Sequence, residues 1–482
     1  MIVTYLSGYE TLLNLTHVCT HWRHVITTCP TFWTDIRIGV KGMIDSLANL
    51  SFERADGCLL DVQISPPAEK LDVRKRRSLT PRHHTIPTLS PGRRIRTLCI
   101  ESGWVLILEV LDRWADALSS LQLLDIATGD SSSLPSRPTI FFGDALTELR
   151  LHGIAVPGLD HIRAPNLTAL RLWDDYQPCS ATKLFDFLEA APALEEVSIK
   201  GNCLTAYEFP PPNRTVTLPH VRSLMLMLRH ARRLASHLVC PSLTDTRLAD
   251  AFPVDPAAGI FPPPFHQLLG RCSVEIIDRV TVGISEQEEH KECFLQLRTP
   301  SDAMFTTACI TQFVIDDPVP DDDPLWTFSA VFDQTLSTLL TLPLANVVTF
   351  TIDIVPFPSD DTADPTDIVT RFAEVFKKCP TLHEVVLEDY PLDCLSVFSR
   401  DGMPPIQVLI IKHPEYLSWE ELAERVTEVA QIRHSRGAPL ERIEVVATTE
   451  ESPRIERLES WVQQVRYRVE PPQKYWRQCP WS

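Results

Sequence analysis

Glycine is scarce in this chain, 16 residues of 482. None of GxGxxG, GxxxxGK followed by Ser or Thr, GxSxG or HExxH occurs in it. The patterns that cradle phosphates, expose a serine nucleophile or hold a hydrolytic zinc are therefore missing. The 13 cysteines include no CxxC pair, and an odd, irregularly spaced set suits neither a disulfide framework nor a zinc cluster. Positive charge is also lacking overall: the net charge is −18, which repels phosphate backbones and makes nucleic acid an unexpected partner. No apolar run reaches the roughly 18 residues of a membrane span. The opening MIVTYLSGYE carries no basic segment ahead of an apolar one, so no secretory signal is expected and a reducing cytoplasmic or nuclear setting fits. Adjacent carboxylates such as Asp174 with Asp175, or Glu195 with Glu196, would point to opposite faces of a strand and cannot converge on one atom. A catalytic site, a cofactor and a metal are not expected.

The chain does have 44% hydrophobic and 22% charged residues, a composition that folds. One basic stretch stands out, Arg74, Lys75, Arg76 and Arg77 followed by Arg93, Arg94 and Arg96, broken by Pro81, Pro87 and Pro91. Without interleaved aromatics it reads as a solvated loop, with nuclear import or phosphate contact as the other reading.

The dominant signal is a repeat of LxxLxL. It is clear at Leu146, Leu149 and Leu151; Leu167, Leu170 and Leu172; Leu194, Val197 and Ile199; Val221, Leu224 and Leu226; Leu382, Val385 and Leu387; Ile406, Leu409 and Ile411; and Leu440, Ile443 and Val445. Weaker copies start at Ile95, Leu121 and Leu243. Starts are mostly roughly 21 to 27 residues apart. The last two apolar positions alternate as one face of a short strand does. A proline stands two places before the leading apolar residue at Pro165, Pro192, Pro219, Pro241 and Pro380, where it ends a helix and launches a strand. Helices are expected before these turns, as with Ile368, Phe372, Val375 and Phe376. Another is capped by Ser418 with Glu421 and ended by Gly437 and Pro439.

A helix, turn and strand unit too small to bury its own apolar face must stack on its neighbours. Over residues 95 to 450 the pattern resembles the leucine-rich-repeat superfamily. That resemblance implies an α/β solenoid with parallel strands on the concave face and helices on the convex face. The family's asparagine after the last leucine appears only as Asn202, with Asp175 as a substitute, and residues 251 to 345 carry no clean copy and read as degenerate or inserted. A leucine-rich α/β protein of another fold is the competing explanation.

Near the N-terminus Leu12, Leu15, Cys19, Trp22 and Ile26 fall on one helical stripe, with His17, His21 and His24 opposite. The histidines read as a solvated or partner-facing surface rather than a metal site. The string LTHVCTHWRHVITTCPTFWTDIRI resembles the second half of an F-box: Val18, Cys19, Trp22 and Arg23 match its VCxxWR helix, and Pro30 and Trp33 its PxLW turn. Its coupling to irregular repeats is similar to the large F-box families of mushroom-forming fungi. The resemblance implies docking to a Skp-type adaptor of a cullin ligase through Leu15 and these matched residues. The first F-box helix, with its LPxE motif, has no counterpart in the sequence.

The expected organisation is a partial F-box at 1–38, an irregular basic connection at 39–94, the repeat domain at 95–450 and a cap or tail at 451–482. Residues between the repeat leucines would stand on the open face of the sheet: Glu148, Arg150, His152, Arg171, Trp173 and Lys200 are the candidate protein-binding set. Trp173 beside Arg171 is the favoured pair. The alternative is that Trp173 packs under a loop while Arg171 pairs with Glu148 or Glu196. The sequence thus points to a substrate receptor for a ubiquitin ligase, or else to a free-standing binding scaffold.

Overall fold

The computed structural model describes residues 9–38, 44–65, 94–128, 140–141, 144–153, 162–174, 180–201, 214–228, 231–251, 277–287, 290–298, 304–312, 335–337, 339–340, 342, 344–354, 365–388, 392–412, 418–447 and 458–469. Asp175 and Asn202, Arg74 to Arg77 and Arg93 lie outside this set, as does Ile368's side chain. The chain forms two compact units, Met1–Val221 and Arg222–Ser482.

In the first unit, helices α1 (Tyr9–Val18) and α2 (Thr20–Thr28) lead through a single 3-10 turn, Pro30–Trp33, into strand β1 (Asp35–Ile38). The expected continuous stripe from Leu12 to Ile26 is interrupted. Cys19 is extended at φ −160°, and its thiol accepts the Trp22 N–H as a helix cap. Strands β2 (Leu59–Ile64), β3 (Arg94–Glu101), β4 (Leu123–Ala127), β5 (Glu148–His152), β6 (Ala169–Asp174) and β7 (Glu196–Gly201) follow. Each is parallel to the next in sequence order. The repeat leucines fall into continuous rows. Leu98, Leu124, Leu149, Leu170 and Val197 are neighbours across β3 to β7, and Ile100, Ile126, Leu151, Leu172 and Ile199 form the next row. All ten are buried.

The second unit holds β8 (Ser223–Leu228), β9 (Asp245–Ala251), β10 (Arg279–Gln287), β11 (His290–Arg298), β12 (Met304–Gln312), β13 (Thr349–Ile354), β14 (Glu384–Glu388), β15 (Val408–Lys412), β16 (Arg442–Ala447) and β17 (Gln464–Val469). Their spatial order is β8-β9-β12-β11-β10-β13 and then onward to β17 in sequence order. Among the described strands only β11 runs against its neighbours. Strands β10 to β12 are thus a reversed antiparallel meander set inside a parallel sheet, within the stretch where no clean repeat was legible. The apolar row continues into it from the β13 side: Leu297 lies beside Val280, Val280 beside Phe350, and Phe350 beside Val385. Ile277, Val280 and Val282, like Val347, Phe350 and Ile352, are buried at LxxLxL spacing.

Two backbone devices recur at strand entrances. The first is a β-turn with proline at its second position, closed by Leu167 N–H to Ala164 (3.2 Å), Leu194 to Ala191 (3.3 Å), Leu243 to Cys240 (3.2 Å) and Leu382 to Cys379 (3.0 Å). Proline's fixed φ suits that position. The small residue before it is buried each time. The second is a carbonyl that accepts two successive N–H groups from the neighbouring repeat. Gln122 O takes those of Thr147 and Glu148, Thr168 O those of Glu195 and Glu196, and His383 O those of Gln407 and Val408, all at 2.8 to 3.0 Å. A short strand is thereby pinned at its start to the unit beside it.

The helices serve the same core. Pro365–Lys377 buries Phe372, Val375 and Phe376, and the Phe376 ring lies 5.0 Å from Phe350 and 5.7 Å from Phe398. Trp419–Ser435 starts at Ser418, whose hydroxyl accepts the Glu421 N–H at 3.1 Å, and buries Leu422, Val426 and Val429. It ends before Gly437 at φ +74°.

Gly57 and Gly153 separate two costs of side-chain addition. Both have positive φ, +72° and +65°, but a Cβ at Gly57 would meet nothing within 4 Å, whereas one at Gly153 would fall 2.1 Å from Thr128 O. Gly57→Ala should cost about 1 to 2 kcal/mol for the left-handed backbone alone. Gly153→Ala must also displace a backbone carbonyl, so its thermal midpoint should fall clearly further. Equal midpoints in the two variants would contradict this packing.

Candidate functional site

The open face of the first unit is built by alternation: with each repeat leucine turned inward, its sequence neighbours turn outward. Register sets three outward rows across β4 to β7. Asp125, Arg150, Arg171 and Ser198 form the middle row; Glu148, Ala169 and Glu196 lie toward the strand starts; Ala127, His152, Trp173 and Lys200 lie toward the strand ends. The structure therefore brings together all six residues of the candidate set.

They are knit to one another. Arg150 donates to Glu148 at 2.7 Å and lies 3.9 Å from Asp125. Arg171 pairs with Glu196 at 3.0 Å and lies 3.8 Å from Glu148. The interstrand pairing of Arg171 is thus what the structure records. His152 Nε2 is 3.6 Å from Asp125. Its ring meets Trp173 edge to face, with centroids 4.0 Å apart, while Lys200 Nζ sits 5.6 Å from the centre of the Trp173 ring. Trp173 is half-buried, and its indole N–H is buried without a hydrogen-bond partner among the described residues. Held this way, the cluster is a preorganised surface of alternating charge with one aromatic at its edge.

Burial sets the electrostatics. It raises Asp125 above the usual carboxylate range against the pull of His152 and Arg150. It lowers His152 below the ordinary imidazole value; Asp125 opposes that shift and Arg150 adds to it. Cys99, beside Asp125 on the same face, has its thiol pushed up to about 11 by burial and then by Asp125. At neutral pH it is a thiol, not a nucleophile. The Arg171 guanidinium is raised chiefly by its hydrogen bonds to Glu196.

The F-box-like residues divide between surface and core. Val18 is 65% exposed, Cys19 and Arg23 are exposed, and Leu15, Trp22 and Pro30 are half-buried. Arg23 Nε donates to Thr16 O at 2.9 Å, which ties α2 back to α1. Trp33 is only 2% exposed. It donates from Nε1 to Ile26 O at 2.7 Å and lies under the Arg54 guanidinium at 4.6 Å. His17, His21 and His24 are all exposed. Of the basic stretch, Arg94 and Arg96 are on β3, and Arg96 is bonded to Asp61.

The open-face residues read from the sequence end at Lys200. The second unit has its own version. Arg442 reaches Glu384 at 3.7 Å. Between those two in register lies Val408, which is consequently buried although it faces outward. Lys412 pairs with Glu388, and Arg468 lies 3.6 Å from Glu444. The signal was present as EVVLE, VLIIK and RIEVVA, but pairing them required the register.

His152 should titrate below roughly 6.5, the ordinary histidine value. Replacing Asp125 by Asn should lower its midpoint further, and Arg150→Gln should raise it, as followed by the imidazole Cε1 resonance. Because the folded value is depressed, the contribution of this group to stability is full above the unfolded value and is lost as pH falls through the folded one. An unshifted midpoint in both variants would contradict the described cluster.

Among the described residues no helix is long and apolar enough to cross a membrane. No protein-family model matches the chain, and no curated protein matches it. Among solved structures it is similar to the chain in a crystal structure of a TLR13–ssRNA13 complex, with a TM-score of 0.30 and 8% identity over 80% of this chain. It spans 47% of that chain's length.

Proposed function

We propose that this protein is a non-enzymatic substrate receptor of an SCF-type ubiquitin ligase, working in the cytoplasm or nucleus. Its leucine-rich-repeat-like solenoid grips a protein target, and its N-terminal helices dock a Skp-type adaptor. The observation that carries the binding half is the open face itself. Side chains of both charges and an aromatic are held in fixed geometry on rigid strands whose other face is fully committed to the core, which is how repeat proteins present a recognition surface. The ligase half rests on the VCxxWR resemblance, supported by the outward placement of Val18, Cys19 and Arg23. A solvent-facing valine flanked by a half-exposed leucine and tryptophan suits an apolar partner surface.

A second reading, the free-standing scaffold, is favoured by one observation. Trp33, which the F-box resemblance assigns to the adaptor surface, is consumed by packing on Ile26 and Arg54. The matched residues left at the surface are then those of α1 and α2, with Cys19 between them and half-buried Pro30.

Co-expression of the full chain with a Skp-type adaptor distinguishes the readings. The two proteins should co-purify, and Val18→Asp should reduce recovery of the adaptor at least tenfold with an unchanged thermal midpoint, because Val18 packs on little. If the wild-type chain and adaptor elute separately, the ligase reading fails and the scaffold stands. For the target-binding face, Trp173→Ala should weaken target capture with little change in melting temperature; equal loss of both would make Trp173 structural.

A further inference from the structure

The open face of the second unit holds a feature that the first lacks. Across β14 and β15 the middle outward row is apolar, Val386 beside Ile410, both half-exposed. On the strand-start side this strip is bordered by the Glu384–Arg442 pair, which spans Val408, and on the strand-end side by the Glu388–Lys412 pair. Glu384 and Glu388 are four positions apart on one strand, so the borders are separated by about 13 Å at the rise of a β-strand. That is the width of an α-helix with its side chains, about 10 to 12 Å, and wider than one extended strand needs. From β13 to β17 the sheet extends four strand spacings, or about 19 Å, the length of roughly 13 helical residues.

Charge gives this strip a direction. Its β14 end is acidic on both borders. Away from β14 the borders turn basic, at Lys412 on β15 and at Arg442 on β16, with exposed Arg466 in the middle row of β17 beyond Glu444. A helix carries partial positive charge at its N-terminus and partial negative charge at its C-terminus. We propose that this strip docks an amphipathic helix of a protein partner, lying across the strands with its N-terminus over β14 and its C-terminus over β17. Its apolar stripe covers Val386 and Ile410. Basic side chains flank that stripe near the N-terminus to meet the two glutamates, and acidic ones flank it near the C-terminus to meet the arginines. The site is separate from the Trp173 cluster and does not rest on the ligase reading.

The test is selection with two phage libraries against the full-length protein, one displaying a single stabilised helix randomised on one face and one displaying linear, proline-containing peptides. The helix library should yield binders with apolar residues at i, i+3 or i+4 and i+7, Lys or Arg in the N-terminal half and Asp or Glu in the C-terminal half. Ile410→Asp should weaken them at least tenfold, and the Glu388→Lys, Arg466→Glu double variant should prefer binders of reversed charge order. Trp173→Ala should leave them unchanged. Circular dichroism of each variant confirms folding, and Val386→Ser provides a milder second lesion. No binders from the helix library, binders indifferent to Ile410→Asp and Val386→Ser, or binders from the linear library alone would overturn the proposal. Loss of binding on Trp173→Ala would reassign the ligand to the first unit's face.

Discussion

Each repeat is held to the next by a shared carbonyl and a shared aliphatic row, and neither bond can be made by one repeat alone. Thr168 O has no strand of its own to serve; it receives both N–H groups that open β7. Leu170 is buried because Leu149 and Val197 flank it. A strand of five or six residues makes too few local contacts to offset the roughly 1 to 2 kcal/mol per residue of backbone ordering, so burial across the rung decides whether it forms at all. The outward side chains inherit their spacing from that requirement. Their positions are set to within the strand register before any partner arrives.

That dependence explains how much could be read beforehand. The repeat leucines at Leu146 to Leu172 and Leu382 to Val445 declare themselves by spacing, because the same two inward positions recur in every unit. Prolines at 165, 192, 241 and 380 declare the turn. The copies at Ile277 and Val347 escaped because the chain reverses between them: β10 pairs β13 only after β11 and β12 have intervened, so the regular interval is broken in sequence while the row is intact in space. Cys19 escaped for a local reason. Its apolar spacing fits a continuous helix, yet its thiol serves as a cap and the chain turns there. Trp33 was legible as a motif residue, but its burial depends on Arg54, twenty-one residues on.

The meander shows what the architecture tolerates. Three strands are inserted, up, down and up, so β12 remains parallel to β9 and β10 parallel to β13. Leu297 and Val280 meanwhile supply the buried positions that the missing repeats would have filled. From β11 through β10 to β14, burial of the apolar row rather than regularity of the repeat is therefore the condition that the sequence meets.

The open face obeys a different economy. Arg150 and Arg171 are already bonded to Glu148 and Glu196, and such partly exposed pairs contribute little to folding, with a typical value of about 0 to 1 kcal/mol. In the proposed binding role their consequence lies in selection. A partner that meets them must offer charges of matching sign at matching spacing, or else leave a desolvated ion without its counterpart, at a cost of several kcal/mol. A prepaired face thus adds little affinity to the right partner and a large penalty to the wrong one. Affinity has to come from the ungrouped elements, the half-buried Trp173 in the first unit and the Val386 and Ile410 strip in the second, where apolar area rather than charge is still available to be covered.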